Sequence, residues 1–149
     1  MGRTIGLATL VAGTLDILLA AILTLFRGGA PSDMLRGVAS GPFPSATDMG
    51  TSGAILGLLV HFALMAIMAT VFVLIARQKP DLIEKPILWG VIYGLITYVV
   101  MNLIVLPLRF GSPLPPKTLS IATQLFAHIF LVGIPIALIT ARTLRGRLN

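Results

Sequence analysis

The sequence predicts an all-α integral membrane protein, a four-helix bundle whose helices run up, down, up and down. Two observations support this fold class. Hydrophobic residues make up 56% of the chain and charged residues only 11%, whereas a soluble domain is about a quarter charged. The chain also contains four apolar stretches that are each long enough to cross a hydrocarbon core, which needs about 20 residues. The second and third connections between them are short, and we expect a single membrane domain over residues 1–149.

The predicted transmembrane helices cover residues 5–26, 53–76, 87–108 and 119–141. Only the first contains a formal charge, Asp16. Its neighbouring Leu, Ile, Val and Phe side chains each favour insertion by about 0.3 to 0.6 kcal/mol, which outweighs a cost of about 3 kcal/mol for the aspartate. We therefore expect this segment to span the membrane. Its length argues against a cleaved signal peptide.

The longest connection, residues 27–52, is expected on the outer side. It contains three prolines and a short stretch, 32–40, that begins with a serine suited to a helix N-cap. Two interpretations stay open for this stretch. It is either a short interfacial helix that lies on the membrane or plugs the bundle end, or an ordered loop that covers the helix ends. We favour the second.

Basic residues predict the orientation of the bundle. Seven lie on one side: Arg3, Arg77, Lys79, Lys85, Arg142, Arg145 and Arg147. Four lie on the other: Arg27, Arg36, Arg109 and Lys117. Because lysine and arginine concentrate on the cytoplasmic side, both termini are predicted to be cytoplasmic.

Several classes of function find no support in the sequence. The net charge of +6 belongs to loops and tails, so we expect no nucleic-acid partner. The chain has no cysteine, which excludes thiolate metal sites and cysteine nucleophiles. It also lacks a serine–histidine–acid set, an HExxH motif and a phosphate-binding loop. We therefore expect a protein that is not an enzyme.

Small residues predict how the helices pack. Gly53 and Gly57 in the second helix, and Gly90 and Gly94 in the third, form Gly-x-x-x-Gly pairs. Such pairs allow membrane helices to approach closely. We favour packing within one bundle, with a homodimer interface or docking onto a larger membrane complex as alternatives. Pro135 should kink the fourth helix.

Polar residues are predicted to meet inside the membrane. His61 and His128 lie eight and nine residues after the starts of two helices that run the same way, about 12 to 14 Å deep at 1.5 Å per residue. Counting back from the ends of the other two helices places Asp16 about 15 Å deep and Asn102 about 9 Å deep. Gln124 precedes His128 by one helical turn. Because ionisable side chains in membranes face the protein interior, these five residues predict a shared ligand or proton site.

The polar cluster has several interpretations. It is either a hydrogen-bond network that fixes the packing of the helices or a site with a ligand. As a site, Asp16 and the histidines could carry a proton or ion in a small coupled carrier. Alternatively, His61 and His128 could be the two axial ligands of haem b. Copper, held by methionines near His61, is the interpretation we favour least.

Short segments of the chain resemble bacterial four-helix inner-membrane proteins of the YagU-like type. They are His61-Phe-Ala-Leu-Met, Gly90-Val-Ile-Tyr-Gly94, Met101-Asn102-Leu-Ile-Val-Leu-Pro107 and Gln124-Leu-Phe-Ala-His128. The resemblance implies a multi-pass protein of the bacterial cytoplasmic membrane and a histidine at both positions 61 and 128. It implies no particular activity. Asparagine at position 102 departs from a site built of three histidines.

The expectation is therefore a lipid-embedded protein with an intramembrane polar site, in a structural or accessory role. A small proton- or ion-coupled carrier and a haem-binding protein are the alternatives.

Overall fold

The computed structural model describes residues 1–145, and every regular element in that part of the chain is a helix. In chain order these are α1 (Gly2–Phe26), α2 (Pro31–Ala39), α3 (Gly50–Gln78), α4 (Asp81–Glu84), α5 (Pro86–Phe110) and α6 (Thr118–Arg145), with a 3₁₀ turn at Pro44–Asp48. Four of them, α1, α3, α5 and α6, are long and apolar enough to cross a membrane. The predicted all-α four-helix bundle is confirmed.

The helices extend beyond the apolar stretches from which they were predicted. The third helix, for instance, covers Pro86–Phe110, against a prediction of 87–108. Helical hydrogen bonding continues into the less apolar residues on either side, whereas a prediction from hydropathy includes only the apolar residues. The ordered loop favoured for the outer stretch 32–40 is wrong, since this stretch is a helix over Pro31–Ala39. A proline is well suited to the first position of a helix.

Two stretches of π-helix interrupt the long helices, Val99–Val105 in α5 and Ala127–Gly133 in α6. Each ends two residues before a proline, Pro107 or Pro135. Proline has no N–H group, and its ring clashes with the carbonyl four residues earlier, so the preceding turn must change. A wider helical turn thus precedes Pro135, where the sequence predicted a kink.

The four long helices do not contact one another equally. The helix α1 packs between α3 and α6, and α5 packs mainly against α6. The helices α3 and α5, although joined by a short connection, meet chiefly through Tyr93. Its hydroxyl donates a hydrogen bond to the Met68 carbonyl at 2.7 Å, and its ring lies edge-on to Phe72. The outward faces carry exposed apolar side chains such as Leu18 and Leu59, as expected for contact with lipid.

The glycines of α5 pack against α6. A Cβ added to Gly94 would lie 2.6 Å from the Cα of Ile129, and one added to Gly90 would lie 2.7 Å from the Cα of Ile134. From the other side, a Cβ on Gly133 would lie 2.7 Å from the amide nitrogen of Gly94. Backbone therefore meets backbone, so a side chain at these positions would force the two helices apart.

The glycines of α3 have a different partner. A Cβ on Gly57 would strike the carbonyl of Leu35 in α2, and one on Gly53 would strike the carbonyl of Ala46 in the 3₁₀ turn. The contact lies within one bundle, as favoured, but these glycines pack against the outer connection and not against another long helix. Sequence spacing could not distinguish the two, because both need a small residue at the point of approach.

Arginine side chains link the connections to the helix ends through hydrogen bonds. Arg109, at the end of α5, donates hydrogen bonds to the carbonyls of Ser40 and Gly41 at 2.9 and 2.6 Å. At the opposite end, Arg145 donates to the carbonyls of Ile83 and Glu84. We name these ends the α2 end and the α4 end. Arg147, which entered the prediction of orientation, lies outside the described residues.

Candidate intramembrane polar site

One cavity is lined by all five residues predicted to form a polar site. Asp16, His61, Asn102, Gln124 and His128 face a space of about 220 Å³ between the four long helices. Both histidine side chains are buried, while the other three are half-buried. The five residues that depth along the helices placed near one another thus line one cavity, and that they form a site stays a prediction.

His61 is anchored to the backbone of α1. Its Nε2–H donates a hydrogen bond to the carbonyl of Gly13 at 2.9 Å. The approach depends on glycine, because a Cβ there would lie 2.7 Å from the neighbouring Phe62 ring. With Nε2 carrying the proton of a neutral imidazole, Nδ1 presents a lone pair.

Nδ1 of His61 faces Asp16. The carboxylate oxygen Oδ2 lies 3.9 Å from it, which is too long for a direct hydrogen bond and suited to a bridging water. The Asp16 side chain is 21% exposed, against 8% for His61, so the carboxylate is the more accessible group of the pair. A proton that moves between Asp16 and His61 would not have to leave the cavity.

His128 is held by two side chains of α5. Its Nδ1–H donates to the hydroxyl of Thr97 at 3.1 Å, and that hydroxyl donates to the carbonyl of Gly94 at 3.0 Å. Its Nε2 accepts a hydrogen bond from the side-chain amide of Asn102 at 3.2 Å. Both ring nitrogens are thus used, and the edge of the Tyr98 ring faces the imidazole. His128 is a bridge between α5 and α6.

The π-helical stretches lie at these contacts. Asn102 is in the π stretch of α5 and His128 is in that of α6. Such wide turns inside α-helices are frequent at functional sites. The prolines that follow these stretches were the available sequence signal, but a disturbance of the helix was predicted only at Pro135. Thr97 and the carbonyl of Gly13 were missed, since threonine in a membrane helix usually bonds its own backbone.

The remaining wall of the cavity is apolar. Met65 and Met68 of α3 and Met101 of α5 line it, together with Val38 of α2. The helix α2 thus covers the α2 end of the cavity. Methionine side chains are flexible and adapt to occupants of different shape.

The arrangement does not support ligation of haem by the two histidines. An axial ligand needs a free nitrogen lone pair, and His128 uses one ring nitrogen as donor and the other as acceptor. The cavity of about 220 Å³ is also smaller than the roughly 300–1,000 Å³ of sites for drug-sized ligands. Within residues 1–145, no cluster of three or more His, Cys, Asp or Glu side chains is placed to hold a metal ion.

The volume fits water and small ions. One water needs roughly 10–15 Å³ of space and two to four polar partners, and the cavity of about 220 Å³ offers both. By length and composition of its helices, the chain is a multi-pass membrane protein with a polar cavity between its helices. Comparison with protein-family models, curated proteins and solved structures gives no match.

Proposed function

We propose that the protein holds an exchangeable proton on Asp16 and His61 within the membrane and acts as a small proton-coupled binding protein or carrier. The observation that carries this proposal is the 3.9 Å separation of Asp16 Oδ2 from Nδ1 of His61 at the wall of a polar cavity. Intramembrane acids are costly, and they recur in proton and ion pathways. Imidazole is the side chain whose charge changes most readily near neutral pH.

The two histidines have different roles in this proposal. His61 keeps one nitrogen facing Asp16, while His128 has both nitrogens engaged. Proton exchange at His128 would first have to break the bond from Asn102 or the bond to Thr97. We therefore assign the exchangeable proton to Asp16 and His61, and we assign His128 to holding α5 against α6.

Infrared difference spectroscopy between two pH values tests the proposal. The chain has five acidic residues, of which only Asp16 lies within a long helix, so the carboxyl signals are few. The protein in lipid nanodiscs should show a pH-dependent carbonyl band that Asp16→Asn removes and His61→Gln shifts. Asp33→Asn, at an exposed position of α2, is the control and should leave that band in place.

A pH-independent spectrum at the Asp16 carbonyl, across the range in which the protein stays folded, would contradict the proposal. So would a band that persists in Asp16→Asn.

A second candidate is a structural or accessory role, and the His128 network favours it. Its three hydrogen bonds join Asn102, His128, Thr97 and the Gly94 backbone across two helices, as expected of polar residues that fix helix packing. A purely structural role predicts that replacing both histidines with glutamine, which can form hydrogen bonds but cannot titrate, leaves stability and cell phenotype unchanged. Loss of phenotype with stability retained would favour the proton site.

The cellular setting also belongs to the proposal. The resemblance to YagU-like proteins and the distribution of basic residues support a place in the bacterial cytoplasmic membrane with both termini inside. Docking of an exposed apolar face onto a larger complex would suit the accessory role. Catalysis is not part of either candidate.

A further inference from the structure

We propose that the cavity binds a long-chain amine from the lipid phase, with the ammonium group at Asp16 and the hydrocarbon chain between α3 and α5. This inference rests on the proposed function, since it names the class of ligand that would exchange with the proton. The observation behind it is a second space in the molecule, which lies outside the polar site.

A mainly apolar cleft separates α3 from α5, with Lys79 and Asp81 at its α4 end. Its part nearer the middle of the bundle has a volume of about 390 Å³ and its part towards the α4 end about 370 Å³. Tyr93 and Ile96 line both parts, so the two parts adjoin. Because the Tyr93 side chain crosses to α3 between them, a chain that occupies both would pass it on the lipid side, at the exposed Ile96. The cleft exists because these two helices meet chiefly at Tyr93 and otherwise pack against α1 and α6.

The cleft opens towards lipid. Ile67 and Val71 of α3 and Ile96 and Val100 of α5 line it, and all four are exposed on the outward surface. A hydrocarbon chain could therefore enter sideways from the bilayer without crossing water. Burial in such a cleft gives a chain little advantage over lipid, since both surroundings are apolar. Selectivity must come from the polar end of the ligand.

The cleft joins the polar cavity. Leu64, Met68 and Met101 line both spaces, and the two methionines are flexible enough to admit a chain between them. From Met101 to Trp89, which lines the far part of the cleft, α5 rises about 18 Å at 1.5 Å per residue. The space therefore suits an extended aliphatic chain with one polar head.

Charge decides the class of head group. Asp16 is the only formally charged side chain among the residues that line the cavity, so a cation is favoured over an anion or a neutral alcohol. A primary ammonium can donate up to three hydrogen bonds, which suits the Asp16 carboxylate and the side-chain carbonyl of Gln124, both on the cavity wall. Binding of the ammonium displaces the exchangeable proton, which couples the ligand to the proton site.

Trp89 provides the test, because it is the only tryptophan in the chain and lines the cleft. The probe is a long-chain primary amine with bromine at the far end of its chain, added to the protein in nanodiscs. Bromine quenches tryptophan fluorescence on contact. Quenching should be saturable, should be reversed by the unbrominated amine and should exceed that by the matching bromo-alcohol.

Three variants make the test specific. Asp16→Asn should weaken the apparent affinity for the amine at least about tenfold and leave the alcohol unaffected, whereas Asp16→Glu should keep the preference for the amine. Val100→Phe, which fills the cleft, should reduce quenching by the amine. Thermal melting checks that each variant is folded.

Equal quenching by amine and alcohol would overturn the inference, as would an Asp16→Asn protein that still prefers the amine. Undiminished quenching in a folded Val100→Phe protein would also overturn it. If the infrared experiment finds the Asp16 proton but the amine shows no preference, the amine inference fails and the proton proposal stands. If the proton is absent too, both fail.

Discussion

Nε2 of His61 donates a hydrogen bond to the backbone carbonyl of Gly13, 2.9 Å away, and this bond determines which nitrogen faces Asp16. A ring nitrogen that donates leaves its counterpart as the acceptor in a neutral imidazole. The local sequence of α1, a glycine followed three residues later by an aspartate, thus supplies both the anchor and the acid. One helix face orients the histidine and gives it a proton partner.

Gly94→Leu should lower stability, because a Cβ at this position would lie 2.6 Å from the Cα of Ile129 and would strike the His128 carbonyl. The clash is with backbone, so only a shift of α5 relieves it. Overpacking of this kind costs about 1–3 kcal/mol, measured as the loss of unfolding free energy in detergent.

Gly6→Ala is the matched control, since a Cβ there would have no neighbour within 4 Å. It should keep or slightly raise stability, because alanine favours helix over glycine. Unchanged stability in Gly94→Leu would show that α5 and α6 do not pack at this glycine.

Thr97→Val should destabilise the contact between α5 and α6. Valine has nearly the same shape as threonine but can neither accept from Nδ1 of His128 nor donate to the carbonyl of Gly94. A buried donor left without a partner costs about 1–3 kcal/mol, while interhelical bonds in membranes average less, about 0.6 kcal/mol. We expect a loss of about 1 kcal/mol in thermal unfolding.

Thr97→Ser keeps the hydroxyl and should retain most of the stability that valine loses. If valine and serine proved equally stable, the Thr97 hydroxyl would not be a partner of His128.

Topology is a separate prediction, based on seven basic residues against four. Reporter fusions after Asn149 and within the connection that contains α4 should report the cytoplasm, and a fusion within residues 27–52 should report the exterior. A C-terminus on the outer side would reverse the orientation of the bundle. The α2 end, and with it the nearer access to the polar cavity, would then face the cytoplasm.

The sequence was informative about depth and poor at identifying contacts. Depth follows from counting residues along a helix of fixed rise, which is why the sequence alone predicts that His61, Asn102 and His128 lie near one another. The partner of each group depends on helix rotation and pairing. Gln124 and Asn102 were both assigned to the site, but only the structure distinguishes Asn102 as the donor to His128.

Glycine spacing was informative in the same limited way. Gly90 and Gly57 both required a close neighbour, and both have one. For Gly90 the neighbour is α6, and for Gly57 it is the outer helix α2, which the sequence did not connect with α3. The π-helical stretches were missed because periodicity assumes a regular helix, and a proline signals a disturbance without specifying its form.

Water in the cavity is the property on which the proton site and the amine site both depend, and thiol labelling measures it. The chain has no cysteine, so Gln124→Cys gives the cavity wall its only thiol. Leu18→Cys, on the lipid-facing surface, and Ser45→Cys, in the exposed outer connection, are the two controls. In nanodiscs, a small charged reagent that cannot dissolve in lipid should label positions 45 and 124 and leave position 18 unmodified. A cysteine at position 124 as unreactive as the one at position 18 would mean that the cavity is dry, and the account of an exchangeable intramembrane proton would be wrong.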